Sequence, residues 1–287
     1  GYDIDNSCRF NPGDSAYLKI VNDTPTNEKI WTWSAWVKRG AYPDYMGMMT
    51  SAKSGETRSG FIQINQGAKN NAIRFYCFDN SDTQYELVTD AIFRDPSSWY
   101  HFVCSCDATD TTAADRMQVW VNGERQSVVV GGSGLLPLDT LMGINGPGFT
   151  QTLGAYDAIS EQSTYMDGYF AEVHFIDGTR RDASSFGELN AATNQWVPIE
   201  YTGGSYGTNG YFLEFKNSGA LGTDTSGNSN NFTVVNLAAT DQMIDTPQNS
   251  TGGNFCTFNP LNGKSGLVAV LAEGNLRLGS GSSESGY

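Results

Sequence analysis

The sequence predicts an antiparallel all-β sandwich, and three observations carry that prediction. Apolar residues recur with a period of two along almost every regular segment, turn residues separate the segments, and 33 of the 287 residues are glycine. A period of two places successive side chains on opposite faces of a strand.

The elements follow in order. Segment 29–38, KIWTWSAWVK, sets Trp31, Trp33, Ala35 and Val37 on one face and Ile30, Thr32, Ser34 and Trp36 on the other. Alternating strands follow at 61–65 and 73–78, then at 85–93 and 99–106. Asp95-Pro96-Ser97-Ser98 is a tight turn that delivers Trp99 into its strand, with Pro96 fixing φ. Strand 117–121 runs into Asn122-Gly123, the strongest short hairpin signal, and Asp177-Gly178 after strand 168–176 reads the same way. Gly131-Gly132-Ser133-Gly134 lacks the Lys-Ser/Thr and following helix of a phosphate loop and reads as a flexible strand connection. Further strands are predicted at 140–144, 210–216 and 232–235. One helical turn is expected, capped by Asp182, running through Ser184 to Phe186 and ended by Gly187. Composition shifts near 202 into the polar loops 202–210 and 223–231. The expected organisation is a sandwich over 1–238, a connector over 239–262, and the start of a further, truncated β-region over 263–287 with strands at 267–271 and 276–278.

Seventeen Lys and Arg against 31 Asp and Glu give a net charge of −14, which excludes the basic footprint of a nucleic-acid or anionic-membrane binder. Aromatics at 12% separate the chain from disordered sequences. No run of 18 apolar residues predicts a membrane span. GYDIDNSCRF lacks a basic region and an apolar core, so no export signal is expected. Cys8, Cys77, Cys104, Cys106 and Cys256 are odd in number and scattered, which predicts reduced thiols made in a cytoplasm. Cys104 and Cys106 share a strand face as small buried groups. His101 and His174 sit inside apolar strands, outside any metal-ligand spacing, and are expected to be structural.

The ordered set WTWSAWVKRG, IRFYCF, RDPSSWYHFVCSCD, MQVWVNGER and MDGYFAEVHFIDG, over about residues 8–178, resembles the laminin-G-like, concanavalin-A-like jelly-roll family. The resemblance implies a two-sheet jelly roll. Downstream, SSFGELNAATNQWVPIEYTGGSYGTNGYFLEFKN, DTSGNSNNF and DTPQN resemble a subgroup common in marine bacteriophage structural proteins, where a SPRY-like domain follows. That implies a virion protein (tail fibre, spike or capsid decoration), made in the host cytoplasm and carried on the particle. Its expected partners are other virion proteins, further copies of itself as a homo-oligomer, and a host-surface glycan. The alternative is a free carbohydrate-binding protein or glycanase of the same superfamily.

A retaining glycanase needs two carboxylates about 5–5.5 Å apart. The nearest pairs, Asp167 with Glu172 and Glu172 with Asp177, are each an odd number apart along a strand, so each pair faces opposite sides and no enzyme is expected. The loop DTSGNSNN offers Asp224, Asn228 and Asn230 as hard oxygen ligands for Ca²⁺, or else as an Asx-turn network around a glycine. Ligand-binding aromatics are expected on loops at one rim, with Tyr42, Tyr45 and Phe149 as candidates.

Overall fold

The computed structural model describes residues 1–40, 45–65, 69–156, 164–250, 253–258, 269–272 and 274–280. Among them the strands are β1 (Ser7–Phe10), β2 (Tyr17–Val21), β3 (Ile30–Arg39), β4 (Tyr45–Ala52), β5 (Ser59–Asn65), β6 (Ala72–Phe78), β7 (Gln84–Thr89) and β8 (Trp99–Asp107). They continue as β9 (Met117–Val121), β10 (Glu124–Arg125), β11 (Val128–Gly132), β12 (Thr150–Leu153), β13 (Ala155–Tyr156), β14 (Thr164–Tyr165) and β15 (Gly168–Asp177). The last are β16 (Gly187–Leu189), β17 (Trp196–Pro198), β18 (Tyr211–Leu213), β19 (Thr233–Val235), β20 (Gln242–Met243), β21 (Ala269–Ala272) and β22 (Arg277–Ser280). Helical content among the described residues is confined to single 3-10 turns, one of them at Ala183–Ser185 under the Asp182 cap. None is long and apolar enough to cross a membrane.

Two large antiparallel sheets form the sandwich. The first runs β10-β9-β8-β3-β15-β1-β20, with β18 also on β15, and the second runs β11-β7-β6-β5-β4-β12-β2-β19. Trp31, Trp33, Ala35 and Val37 all enter the core between them, as the alternation of β3 predicts. Trp31 meets Phe75 of the opposite sheet edge to face, with ring centroids 5.6 Å apart. Cys8, Cys77, Cys104 and Cys106 are buried free thiols and Cys256 is exposed. Burial pushes the Cys104 and Cys106 thiols well above their usual range, so they are poor nucleophiles.

The other face of β3 is buried as well: Thr32, Ser34, Trp36 and Lys38 are all shielded. A sheet covered on both sides shows no apolar-in, polar-out contrast. A bulge in β15 between Ala171 and His174, with Glu172 at φ +48°, divides its far edge. β1 pairs with Gly168–Phe170 and β18 with Val173–Phe175.

Several expected elements differ. Segment 140–144 forms no strand; side chains hold it instead, Ser51 donating to the Gly143 carbonyl and Asn22 to that of Ile144. Asp177-Gly178 makes no hairpin. The Asp177 carboxylate accepts from the backbone N–H groups of Thr26, Asn27 and Asn209 and from the Asn145 amide, tying three loops to the end of β15. Gly131 and Gly132 belong to β11, paired with Glu86 and Tyr85. Strand 210–216 shortens to β18, with Phe215 at φ +55° just beyond. The expected connector supplies β20, which pairs with β1. The hairpin β21–β22 lies in the expected further region, and Asn275 between its strands donates to the Gly40 carbonyl.

Candidate functional site

A groove of about 960 Å³ lies on the outer face of the first sheet. Its floor is Trp36 of β3 and Trp99 of β8. Its walls are the Asn122–Glu124 turn, the segment carrying Leu189 and Asn194–Val197, and the segment carrying Pro247–Asn249 and Gly253–Asn254.

Trp196 is held from three directions. Its indole Nε1 donates to His101 Nδ1 at 3.1 Å. An indole N–H can only donate, so His101 Nδ1 is an acceptor, and Nε2 carries the proton toward Ser34 Oγ at 2.8 Å. Burial, reinforced by His174, lowers the His101 pKa to about 3, so the ring stays neutral. Trp36 stacks on the same imidazole at 4.9 Å. Two glycines supply the other two constraints on Trp196. Asn122 and Gly123 take φ +47° and +86° in the β9–β10 hairpin, as Asn-Gly predicts, and a Cβ at Gly123 would strike the six-membered ring of Trp196. A Cβ at Gly187 would stand 2.6 Å from its Nε1 edge.

The opposite wall hangs on one lysine. Lys38 is fully buried, and its Nζ donates to Asp245 Oδ2 at 2.8 Å, Asn254 Oδ1 at 2.7 Å and the Phe255 carbonyl at 2.6 Å. Asp245 Oδ1 accepts from Trp99 Nε1 at 2.9 Å. Three donors on the ammonium are therefore spent on clamping segment 245–255 to the sheet.

Polar capacity remains in the groove. Asn122 Oδ1 accepts from the His101 backbone N–H, and its amide NH₂ has no partner among the described residues. The side-chain amides of Asn194 and Gln195 have no hydrogen-bond partner among the described residues. The arrangement is a half-exposed aromatic ring beside amides that both donate and accept, which suits a ligand with an apolar face and hydroxyls at its edge.

The residues expected from the sequence lie elsewhere. Asp224, Asn228 and Asn230 do come together, but as a hydrogen-bonded clasp. Asp224 Oδ1 accepts from the backbone N–H groups of Phe212 and Ser226, and Oδ2 from Ser226 Oγ and the Asn230 N–H. Those four donors fill the roughly four acceptor positions of a carboxylate. The Asn228 and Asn230 amides donate to the carbonyls of Gly207, Thr208 and Gly210. The loop thus has the arrangement of an Asx-turn network, with the Asp224 carboxylate engaged by its own backbone and side-chain donors. Phe149 is fully buried, with the Arg58 guanidinium 4.9 Å from its ring, so it presents nothing to a ligand. Tyr45 is 41% exposed and lies 6.1 Å from Tyr156. It stands at the opposite end of β4 from Ala52, which pairs with Thr150 beside Phe149, so Tyr45 and Phe149 do not converge. Tyr42 lies outside the described residues.

Glu172 and His174 pair at 3.4 Å beneath Tyr2 and Tyr206, away from the groove. Sequence parity foretells Trp36 on the outer face. Trp196 carries no comparable signal, because its partners lie at residues 101, 123 and 187.

Residues 12–184 match the family model described as the Concanavalin A-like lectin/glucanases superfamily. Among solved structures, a protein of Bacteroides ovatus ATCC 8483, to which carbohydrate binding has been ascribed, aligns with a TM-score of 0.54 at 15% identity, over 81% of this chain and 58% of its own. A native heptameric SAP-like pentraxin from Limulus polyphemus aligns with a TM-score of 0.49 at 13% identity, over 83% and 98% respectively. Domains LG4-5 of the mouse laminin alpha1 chain align at 0.42 and 10% identity, over 71% and 46%. At 15% identity the likeness to the Bacteroides ovatus protein is one of fold. No curated protein matches the sequence.

Proposed function

Because the chain belongs to the concanavalin A-like lectin/glucanases superfamily, we propose that it is a carbohydrate-binding module that seats its ligand in the Trp196 groove. The observation that carries this reading is Trp196 held in place beside the unspent amides of Asn122, Asn194 and Gln195. A pyranose ring offers an apolar C–H face to an aromatic surface, while its hydroxyls take the amides. The carbohydrate binding ascribed to the Bacteroides ovatus neighbour is of the same kind. The reading is one of binding without cleavage, since Glu172 is enclosed and Glu124 is the one carboxylate among the described groove residues. The test is affinity electrophoresis on a panel of polysaccharides. At least one polymer should retard the wild type, and Trp196→Ala, checked to unfold cooperatively, should migrate as in a blank gel.

A second reading rests on the downstream sequence resemblance: the module rides on a phage particle, as one of several copies that raise avidity. Peptide mass spectrometry of purified particles tests it.

A further inference from the structure

Resting on the proposed glycan-binding role of the groove, we infer that it selects uncharged glycan chains and turns away sulfated, sialylated or uronate-containing ones, with Glu124 as the residue that enforces the choice. Glu124 is the single ionisable side chain among the described residues lining the groove. Among those described residues no lysine, arginine or histidine can meet an anion. The lysine beneath it, Lys38, is fully buried and spends its donors on Asp245, Asn254 and Phe255.

Glu124 itself carries an uncompensated charge. It is exposed, directly follows the Asn122-Gly123 turn, and forms no ion pair among the described residues. The adjacent Arg125 is engaged with Asp115 at 2.6 Å. The hairpin therefore holds one free carboxylate at the rim beside Trp196, where an anionic substituent would meet a like charge. Discrimination of this kind needs a repulsive element as well as attractive contacts.

The attractive contacts favour the same class. The amides of Asn194 and Gln195 donate and accept, and so do sugar hydroxyls, so the two match in both senses. A sulfate or carboxylate only accepts, and would leave the amide carbonyls unmatched. At long range the net charge of −14 opposes a polyanion, most strongly at low salt. At about 960 Å³ the groove sits near the top of the usual range of roughly 300–1,000 Å³ for ligand sites. That gives room for a run of sugar rings in preference to a single terminal residue.

The experiment is affinity electrophoresis of the whole chain at low ionic strength. The gels contain a neutral β-glucan, a galactomannan, alginate or a carrageenan. Wild type should be retarded by a neutral polymer and pass the anionic ones freely. Glu124→Gln, a substitution at an exposed position, should raise the affinity for the anionic polymers roughly tenfold relative to that for the neutral ones. Retardation of wild type by alginate or carrageenan above the neutral polymers, lost in Trp196→Ala, overturns the selectivity and leaves the glycan-binding reading standing. An unchanged ratio in Glu124→Gln overturns the role of Glu124. Retardation by none of the four overturns both.

Discussion

His101 shows how one side chain holds a surface residue in place while staying hidden. It accepts from Trp196, donates to Ser34 and stacks on Trp36. Its folded pKa of about 3 lies below the ordinary histidine value of 6.5. Between those two values the unfolded chain binds a proton that the folded chain does not, so this contribution is complete above about pH 6.5 and is lost as pH falls toward 3. Its limiting slope is about 1.4 kcal/mol per pH unit. His101→Gln removes the titration, so urea midpoints measured at pH 7 and pH 4.5 should fall less in the variant than in the wild type; an equal fall would show that His101 titrates normally. Asp224 gives a second prediction. Chelator should leave the melting temperature of wild type unchanged, whereas Asp224→Ala should cost about 2–4 kcal/mol with or without chelator, because buried N–H donors lose their acceptor. The sequence DTSGNSNN fits both calcium and an Asx turn. The clasp is completed by the N–H of Phe212, twelve residues upstream, which no local pattern reveals.

At the scale of elements, β3 was the most legible and also the most incompletely read. Its alternation predicted the core face correctly, and it placed Trp36 on the other face. The alternation could not say that the other face is covered, since the cover comes from residues as distant as Asp245 and Asn254. Segment 140–144 misled for the opposite reason. Its apolar residues are buried by side-chain tethers, so burial occurs there without a strand. Lys38 joins β3 to its cover and supplies the prediction for this scale. Lys38→Met leaves Asp245 buried without its cation and should cost about 3–5 kcal/mol, with faster hydrogen exchange concentrated in 245–255. The double variant Lys38→Met, Asp245→Asn should recover part of that loss. Additive effects in the two single variants would mean that the pair does not couple.

Over the whole molecule, the sandwich was readable because period-two patterning is local, whereas the groove was not, because it is assembled from five separated stretches of chain. Its floor lies within the family match over 12–184, but Trp196 and segment 245–255 lie beyond it. The matched region thus provides the floor and the Asn122–Glu124 wall, and the later segments build the other two walls. The most direct test of the groove as ligand seat is a crystal structure of the chain soaked with a neutral oligosaccharide. The account predicts a sugar ring against the exposed part of Trp196, with its hydroxyls on Asn122, Asn194 or Gln195. An oligosaccharide ordered on Tyr45 or on the 224–230 loop, with the Trp196 groove empty, would contradict it.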